Sequence, residues 1–279
     1  MKDSLDFFGK DACELLKKKL FLFDLDGTIY EEDRIFDGTL GLLENIARIG
    51  GRFVFITNNS SKSVSDYVKK VNGMGIIAEE ENFFTSTQAT ITYLKQHHPN
   101  KLVYCQGTAA MLKELSESGI PVTEKVSDEA GVILIGYDTE LTFKKIRNSC
   151  EMLQKDIPYY ATNPDYACPI HQGFIPDCGA ICMMLEHATS RKPVFIGKPE
   201  PTMVEIVREK YGYEKDETVV IGDRLYTDIA IGINAGVTTV CVLTGETSAN
   251  DIIHGNIKPT YTFRSVMNIL YMFEKYDYL

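Results

Sequence analysis

The sequence predicts an α/β fold resting on parallel sheet, and three features carry that prediction. Short continuous apolar runs recur along the chain, of the kind that fill strands buried on both faces. Stretches of helical period separate them, giving βαβα order. Polar clusters follow several apolar runs directly, where ligands gather in open α/β sheets.

The elements follow in order. Leu5, Phe8, Ala12, Leu15 and Leu16 have helical spacing and predict a short amphipathic helix within 1–18. LFLF at 20–23 and RFVFIT at 52–57 read as buried strands, with helices at 39–50 and 63–74. Helices at 86–97, 108–118 and 142–155 alternate with strands at 101–105, 132–136 and 158–162. A long loop then leads to a helix at 179–189. VFIG at 194–197, VVIG at 219–222 and TTVCVL at 238–243 are further strands, with helices at 201–211, 226–235 and near 264–275.

Composition narrows the function. The chain has 279 residues, 44% apolar and 24% charged, an ordinary globular mix. Its 39 acidic against 29 basic residues give a formal charge of −10, which argues against nucleic-acid and anionic-membrane partners. No apolar run is long enough to span a bilayer, and the first residues lack a secretory pattern. Seven scattered cysteines read as reduced thiols, so a cytoplasmic location is expected.

Four polar segments stand out: DLDGT at 24–28, TNN at 57–59, GKP at 197–199 and GDRLYTD at 222–228. Asp24 and Asp26 lie two residues apart just past a strand and are expected on one side of the chain. A carboxylate can attack phosphorus, and a second can protonate a leaving oxygen. Asp223 and Asp228 bring the carboxylates to a crowd that needs a cation, and an all-oxygen donor set suits Mg²⁺. Lys198 offers a compact positive charge, while Thr57, Asn58 and Asn59 offer neutral donors. Gly27 allows a sharp turn after the two carboxylates.

DLDGTIY at 24–30, ITNN at 56–59, IGKP at 196–199 and IGDRLYTD at 221–228 closely resemble the four motifs of the haloacid dehalogenase superfamily phosphatases. The resemblance implies Asp24 as nucleophile, Asp26 as general acid/base, Thr57 as phosphate binder and Lys198 as charge neutraliser. It implies Mg²⁺ held by Asp24, the backbone carbonyl of Asp26, and Asp223 and Asp228. The DxD pair marks phosphatases of the superfamily rather than dehalogenases. The expected function is hydrolysis of small phosphate monoesters.

Spacing implies a second domain. Only 33 residues separate Asp24 from Thr57, but 141 separate Thr57 from Lys198, far more than one crossover needs. The expected architecture is a Rossmann-like core of 1–80 and 188–279 with an inserted α/β cap of 81–187. ATNPD at 161–165, then Pro169, Gly173 and CGAI at 178–181, resembles the cap loop of the NagD-like, p-nitrophenyl phosphatase type with a class IIA cap. That likeness makes Asn163, Asp165, Tyr166, Ile170 and His171 candidates for substrate contact, and a homodimer through the cap an expectation. Competing readings are a phosphotransferase on the same scaffold, a catalytically silent phosphometabolite binder, and an interaction protein with an acidic face. A zinc site from Cys168, His171, Cys178, Cys182 and His187 is set aside, because Cys178 and Cys182 sit one turn apart on an apolar helix.

Overall fold

All four side chains of Leu20–Phe23 are buried, which demands a strand covered on both faces and paired on both edges. The computed structural model, which describes residues 4–170 and 172–276, makes it a central strand. Its neighbours are Thr218–Gly222 on one side and Arg52–Thr57 on the other, both parallel. The six-stranded sheet runs Tyr261–Phe263, Thr238–Val242, Thr218–Gly222, Leu20–Phe23, Arg52–Thr57, Phe83–Thr85. The chain leaves Leu20–Phe23 toward one edge and fills the other edge later, so the sheet order reverses beside this strand. Ligands bind at such a switch, beyond the carboxyl ends of the strands. Aromatic rings consolidate the layer: Phe55 lies 5.2 Å from Phe83 and 5.4 Å from Phe53 between ring centroids.

The chain divides into two compact units. The first comprises Met1–Ile56, Val68–Phe84 and Lys198–Leu279, the second Thr57–Tyr67 and Thr85–Gly197. The second holds its own five-stranded sheet, ordered Val194–Phe195, Tyr159–Ala161, Ala130–Ile135, Leu102–Gln106, Val122–Thr123. Its core gathers Ile133, Ile135, Tyr159, Ile181 and Leu185 between that sheet and the helices Phe143–Met152 and Cys178–Thr189. The helix Ser86–His97 opens with a reciprocal cap. Thr85 Oγ1 accepts from the Gln88 amide, and the Gln88 side chain accepts from the Thr85 amide.

Several expectations change. The amphipathic helix within 1–18 is replaced by a turn and a short 3₁₀ helix, Cys13–Lys17. The Asp6 carboxylate captures the amides of Phe8 and Lys10 at 2.9 and 2.8 Å, a local bond that competes with helix formation. VFIG does not join the first sheet: Val194–Phe195 pairs in parallel with Tyr159–Ala161. The division into compact units falls at Thr85 and Gly197, and it draws Thr57–Tyr67 into the second unit. The long loop after 162 contains a hairpin, Ala167–Ile170 against Gly173–Pro176. Pro169 and Pro176 disguise its strands, since proline ordinarily argues against a strand. The helix expected at 226–235 begins with a π-helical turn, Leu225–Ile229, before Ala230–Ala235. Among the described residues, no helix is long and apolar enough to cross a membrane.

Candidate active site

Asp24 and Asp223 each follow a central strand of the first sheet, and those strands are in register at Phe23 and Ile221. Parallel pairing thus brings the two carboxylates close together although 199 residues separate them in sequence. Asp228 comes from the π-helical turn that follows Asp223. Ligand oxygens of Asp24, Asp223 and Asp228 all lie within 4.8 Å of one another. Lys198 Nζ donates to Asp24 Oδ1 at 2.5 Å, to Asp228 Oδ1 at 2.6 Å and to the Ile56 carbonyl at 3.2 Å. The lysine is buried, as are Asp223 and Asp228.

The backbone is shaped around these groups. Gly27 has φ +86°, and a Cβ there would come within 2.7 Å of Asp223 Oδ2. Thr28 Oγ1 donates to Asp223 Oδ1 at 3.3 Å, and the Glu246 amide donates to Asp223 Oδ2 at 2.7 Å. Thr244 Oγ1 holds the Gly27 carbonyl at 2.6 Å. The Arg224 amide donates to Asp228 Oδ2 at 3.0 Å.

Electrostatics distinguish this cluster. Burial, then repulsion from Asp228, then from Asp223 raise the Asp24 carboxyl well above its usual range, against the pull of Lys198. Burial and Asp228 push Asp223 up to about 6. The carboxylates also push Lys198 upward, overcoming its own desolvation. Three carboxylates around one ammonium leave a negative surplus. Hard oxygen donors this close suit a divalent cation such as Mg²⁺, so the residues fit the metal that the motifs imply.

The remaining candidates fall in different places. Asp26 does not join the cluster with its side chain, which is 49% exposed. Its Oδ2 accepts from the Tyr30 hydroxyl at 3.4 Å, and Lys70 Nζ lies 3.9 Å from its Oδ1. Thr57 closes the strand beside that of Asp24, and its Oγ1 accepts from the Asn59 amide at 3.2 Å. Asn59 Oδ1 accepts from the amide and hydroxyl of Ser61. Asn58, Asn163 and Asp165 form a buried cluster in the second unit. Asn163 Nδ2 donates to the Asn58 carbonyl at 2.7 Å, Asn58 Nδ2 to Asp165 Oδ2 at 3.1 Å, and the Asp165 amide to Asn163 Oδ1 at 3.0 Å. The side chain of Asn163, expected to touch substrate, is thus engaged inside the protein. Tyr166 and Ile170 are exposed, and His171 lies outside the described residues. Among the described residues Asp24, Asp223 and Asp228 are the one group able to hold a metal ion, so the cysteines at 168, 178 and 182 and His187 gather into no such set.

Sequence reasoning missed Thr28, Tyr30, Lys70, Arg224 and Glu246. Thr28, Tyr30 and Arg224 lie inside the quoted motifs, which was their only signal. Lys70 and Glu246 sit in stretches with no local mark.

Family models agree with this site. Residues 21–121 match the haloacid dehalogenase-like hydrolase model and residues 195–269 the HAD-hydrolase-like model. The chain belongs to the haloacid dehalogenase-like hydrolases, and within them it is a phosphatase of the NagD-like, p-nitrophenyl phosphatase type. It is 33% identical over 257 residues to the acid sugar phosphatase of Staphylococcus aureus, covering 92% of this chain and 98% of that protein. Its fold is similar to 4-nitrophenylphosphatase from Thermotoga maritima, with TM-score 0.88, 35% identity and coverage of 92% and 98%. NagD of E. coli gives TM-score 0.82 at 29% identity over 90% and 97% of the two chains. The glycerol phosphate phosphatase of Mycobacterium tuberculosis, solved in complex with magnesium, gives 0.85 at 25% identity over 91% and 77%.

Proposed function

We propose that this phosphatase hydrolyses small phosphate monoesters, sugar phosphates foremost, through a phosphoryl group carried on Asp24. The observation that carries the reading is the buried Lys198 ammonium bonded to both Asp24 and Asp228 within a three-carboxylate cluster. That arrangement favours the ionised, nucleophilic form of Asp24 against the repulsion that raises it.

Asp24 attacks phosphorus, and the bond from phosphorus to the ester oxygen breaks. Asp26, half exposed beside the cluster, protonates the departing alkoxide as the family motif implies. Asp26 then takes a proton from water, whose oxygen attacks the same phosphorus. Inorganic phosphate leaves and Asp24 is restored. Lys198 offsets charge on Asp24 and on the phosphoryl oxygens, and family likeness assigns Thr57 and Asn58 as further donors to those oxygens. Asp24, Asp223 and Asp228 with the Asp26 carbonyl would hold Mg²⁺, which when bound supplies positive charge for the phosphoryl oxygens. Family likeness keeps Tyr166, Ile170 and His171, with Asp165, among the cap-loop candidates for substrate contact. The relative named acid sugar phosphatase supports sugar phosphates as the first substrates to try. The seven scattered cysteines form no disulfide among the described residues, and the cytoplasm is the compartment proposed for such a thiol set.

The test is a kcat/KM panel over sugar phosphates and p-nitrophenyl phosphate, with and without Mg²⁺, beside Asp24→Asn. Asp24→Asn should lose roughly 10³-fold or more in kcat. Turnover by that variant near the wild-type rate removes Asp24 as nucleophile.

A further inference from the structure

Two loops carry the support of the buried carboxylates, and an ion pair joins them. The first runs from Asp223 to Asp228, and its Arg224 amide donates to Asp228 Oδ2 at 3.0 Å. The second contains Thr244, Gly245 and Glu246, and its Glu246 amide donates to Asp223 Oδ2 at 2.7 Å. The side chains of these same two residues meet, with Arg224 Nε 3.1 Å from Glu246 Oε2. The Tyr226 hydroxyl reaches that oxygen at 3.4 Å, and the Thr247 amide adds a backbone link to the Asp223 carbonyl at 3.2 Å. Gly245 has no room for a side chain, since a Cβ there would strike the Asp223 carboxylate. The second loop is therefore pressed directly onto the carboxylate it supports.

We infer that Arg224 and Glu246 are positioning residues, a clasp that fixes the spacing of Asp223 and Asp228 for a divalent cation. The inference rests on the proposed metal reading of the site. Its logic is geometric: each residue uses its backbone amide to aim one carboxylate, and its side chain to hold the other residue's loop. Breaking the ion pair removes the side-chain tie and leaves only the backbone links, so the separation of the two carboxylates loosens while both remain present. Groups that orient metal ligands typically change affinity by roughly 10- to 100-fold. Glu246 is half exposed, which puts this pair at the lower end.

The experiment is calorimetric titration of chelator-stripped, full-length protein with MgCl₂, in the absence of substrate. Glu246→Gln and Arg224→Gln should each raise the Mg²⁺ Kd roughly tenfold. The double variant should also lose roughly tenfold, not a hundredfold, because the pair acts as one unit. Tyr226→Phe removes only the hydroxyl arm from an exposed ring and should weaken binding by about twofold. Circular dichroism melts in chelator establish that each variant is folded. Wild-type Mg²⁺ affinity in both single variants overturns the clasp, as do losses that multiply in the double variant. A raised KM for p-nitrophenyl phosphate with unchanged Mg²⁺ Kd in Arg224→Gln also overturns it and places the guanidinium on substrate. A wild-type protein that takes up no Mg²⁺ brings down the metal reading itself, a result distinct from wild-type binding with unaffected variants.

Discussion

The two units each bury a polar cluster, and the clusters are built on opposite principles. In the first, Asp24, Asp223 and Asp228 crowd around the single ammonium of Lys198, and burial and mutual repulsion push Asp24 and Asp223 upward. In the second, Asn58, Ser60, Thr162 and Asn163 are mostly neutral and interlocked. Ser60 Oγ lies 2.9 Å from Thr162 Oγ1 and accepts from the Tyr137 amide at 2.9 Å, while Asn163 ties to Asn58. The neutral groups bond mainly to one another around a single carboxylate, Asp165, so little surplus charge is left to draw a cation. A cluster with surplus charge is held in readiness for one, and such strained groups concentrate at functional sites.

The largest effect expected from this contrast comes from Lys198→Met. The three carboxylates lose the Lys198 ammonium, so kcat/KM should fall by roughly 10³-fold. Removing one partner of a buried ion pair typically costs about 3–5 kcal/mol, which urea denaturation in chelator would read. Near-wild-type turnover in Lys198→Met would erase the difference between the clusters.

A smaller effect appears in the metal-free protein as pH changes. Asp223 has an ordinary carboxyl pKa when unfolded and about 6 when folded. Between about pH 4 and 6 the folded state therefore holds the extra proton, and stability falls as pH rises through that window. Other carboxylates titrate there too, so the measurement is the difference in Tm between wild type and Asp223→Asn, both in EDTA. That difference should move against wild type from pH 4 to 6, and Mg²⁺ should reverse it. A flat difference would mean that the repulsion is relieved without a cation.

Much of this was legible in the sequence, and what was not has physical causes. LFLF and RFVFIT announced their strands because every residue is apolar, and parallel register carried Asp24 and Asp223 together without further information. Side-chain direction was less legible. The motif gave no sign that Asp24 would be buried in the cluster while Asp26 would be half exposed, with the Tyr30 hydroxyl and Lys70 beside it. Glu246 carried no signal, because its contribution to Asp223 is a backbone amide, and any residue has one. Val194–Phe195 was read into the wrong sheet, since two apolar residues before GKP cannot say which edge they will join. The hairpin at 167–176 escaped notice because its faces are largely exposed and contain prolines.

The smallest expected effect tests the quiet cluster. The cap-loop likeness puts Asn163 against substrate, whereas its geometry puts it against the protein. Asn163 is fully buried, its Nδ2 is bonded to the Asn58 carbonyl, and its Oδ1 receives the Asp165 amide. Asn163→Ala strands the Asp165 amide, while the Asn58 carbonyl keeps its bond from Ser86 Oγ at 2.6 Å, and a stranded buried group typically costs about 1–3 kcal/mol. Partial relaxation should bring the total to about 2 kcal/mol, read as a lower urea midpoint with an unchanged slope. Because both polar atoms of Asn163 are bonded within the protein and the side chain is fully buried, KM for small phosphate esters should stay within about twofold at a temperature where the variant is folded. A KM raised tenfold with stability intact would give the opposite answer: the side chain would turn toward substrate during turnover, and the second cluster would belong to the chemistry after all.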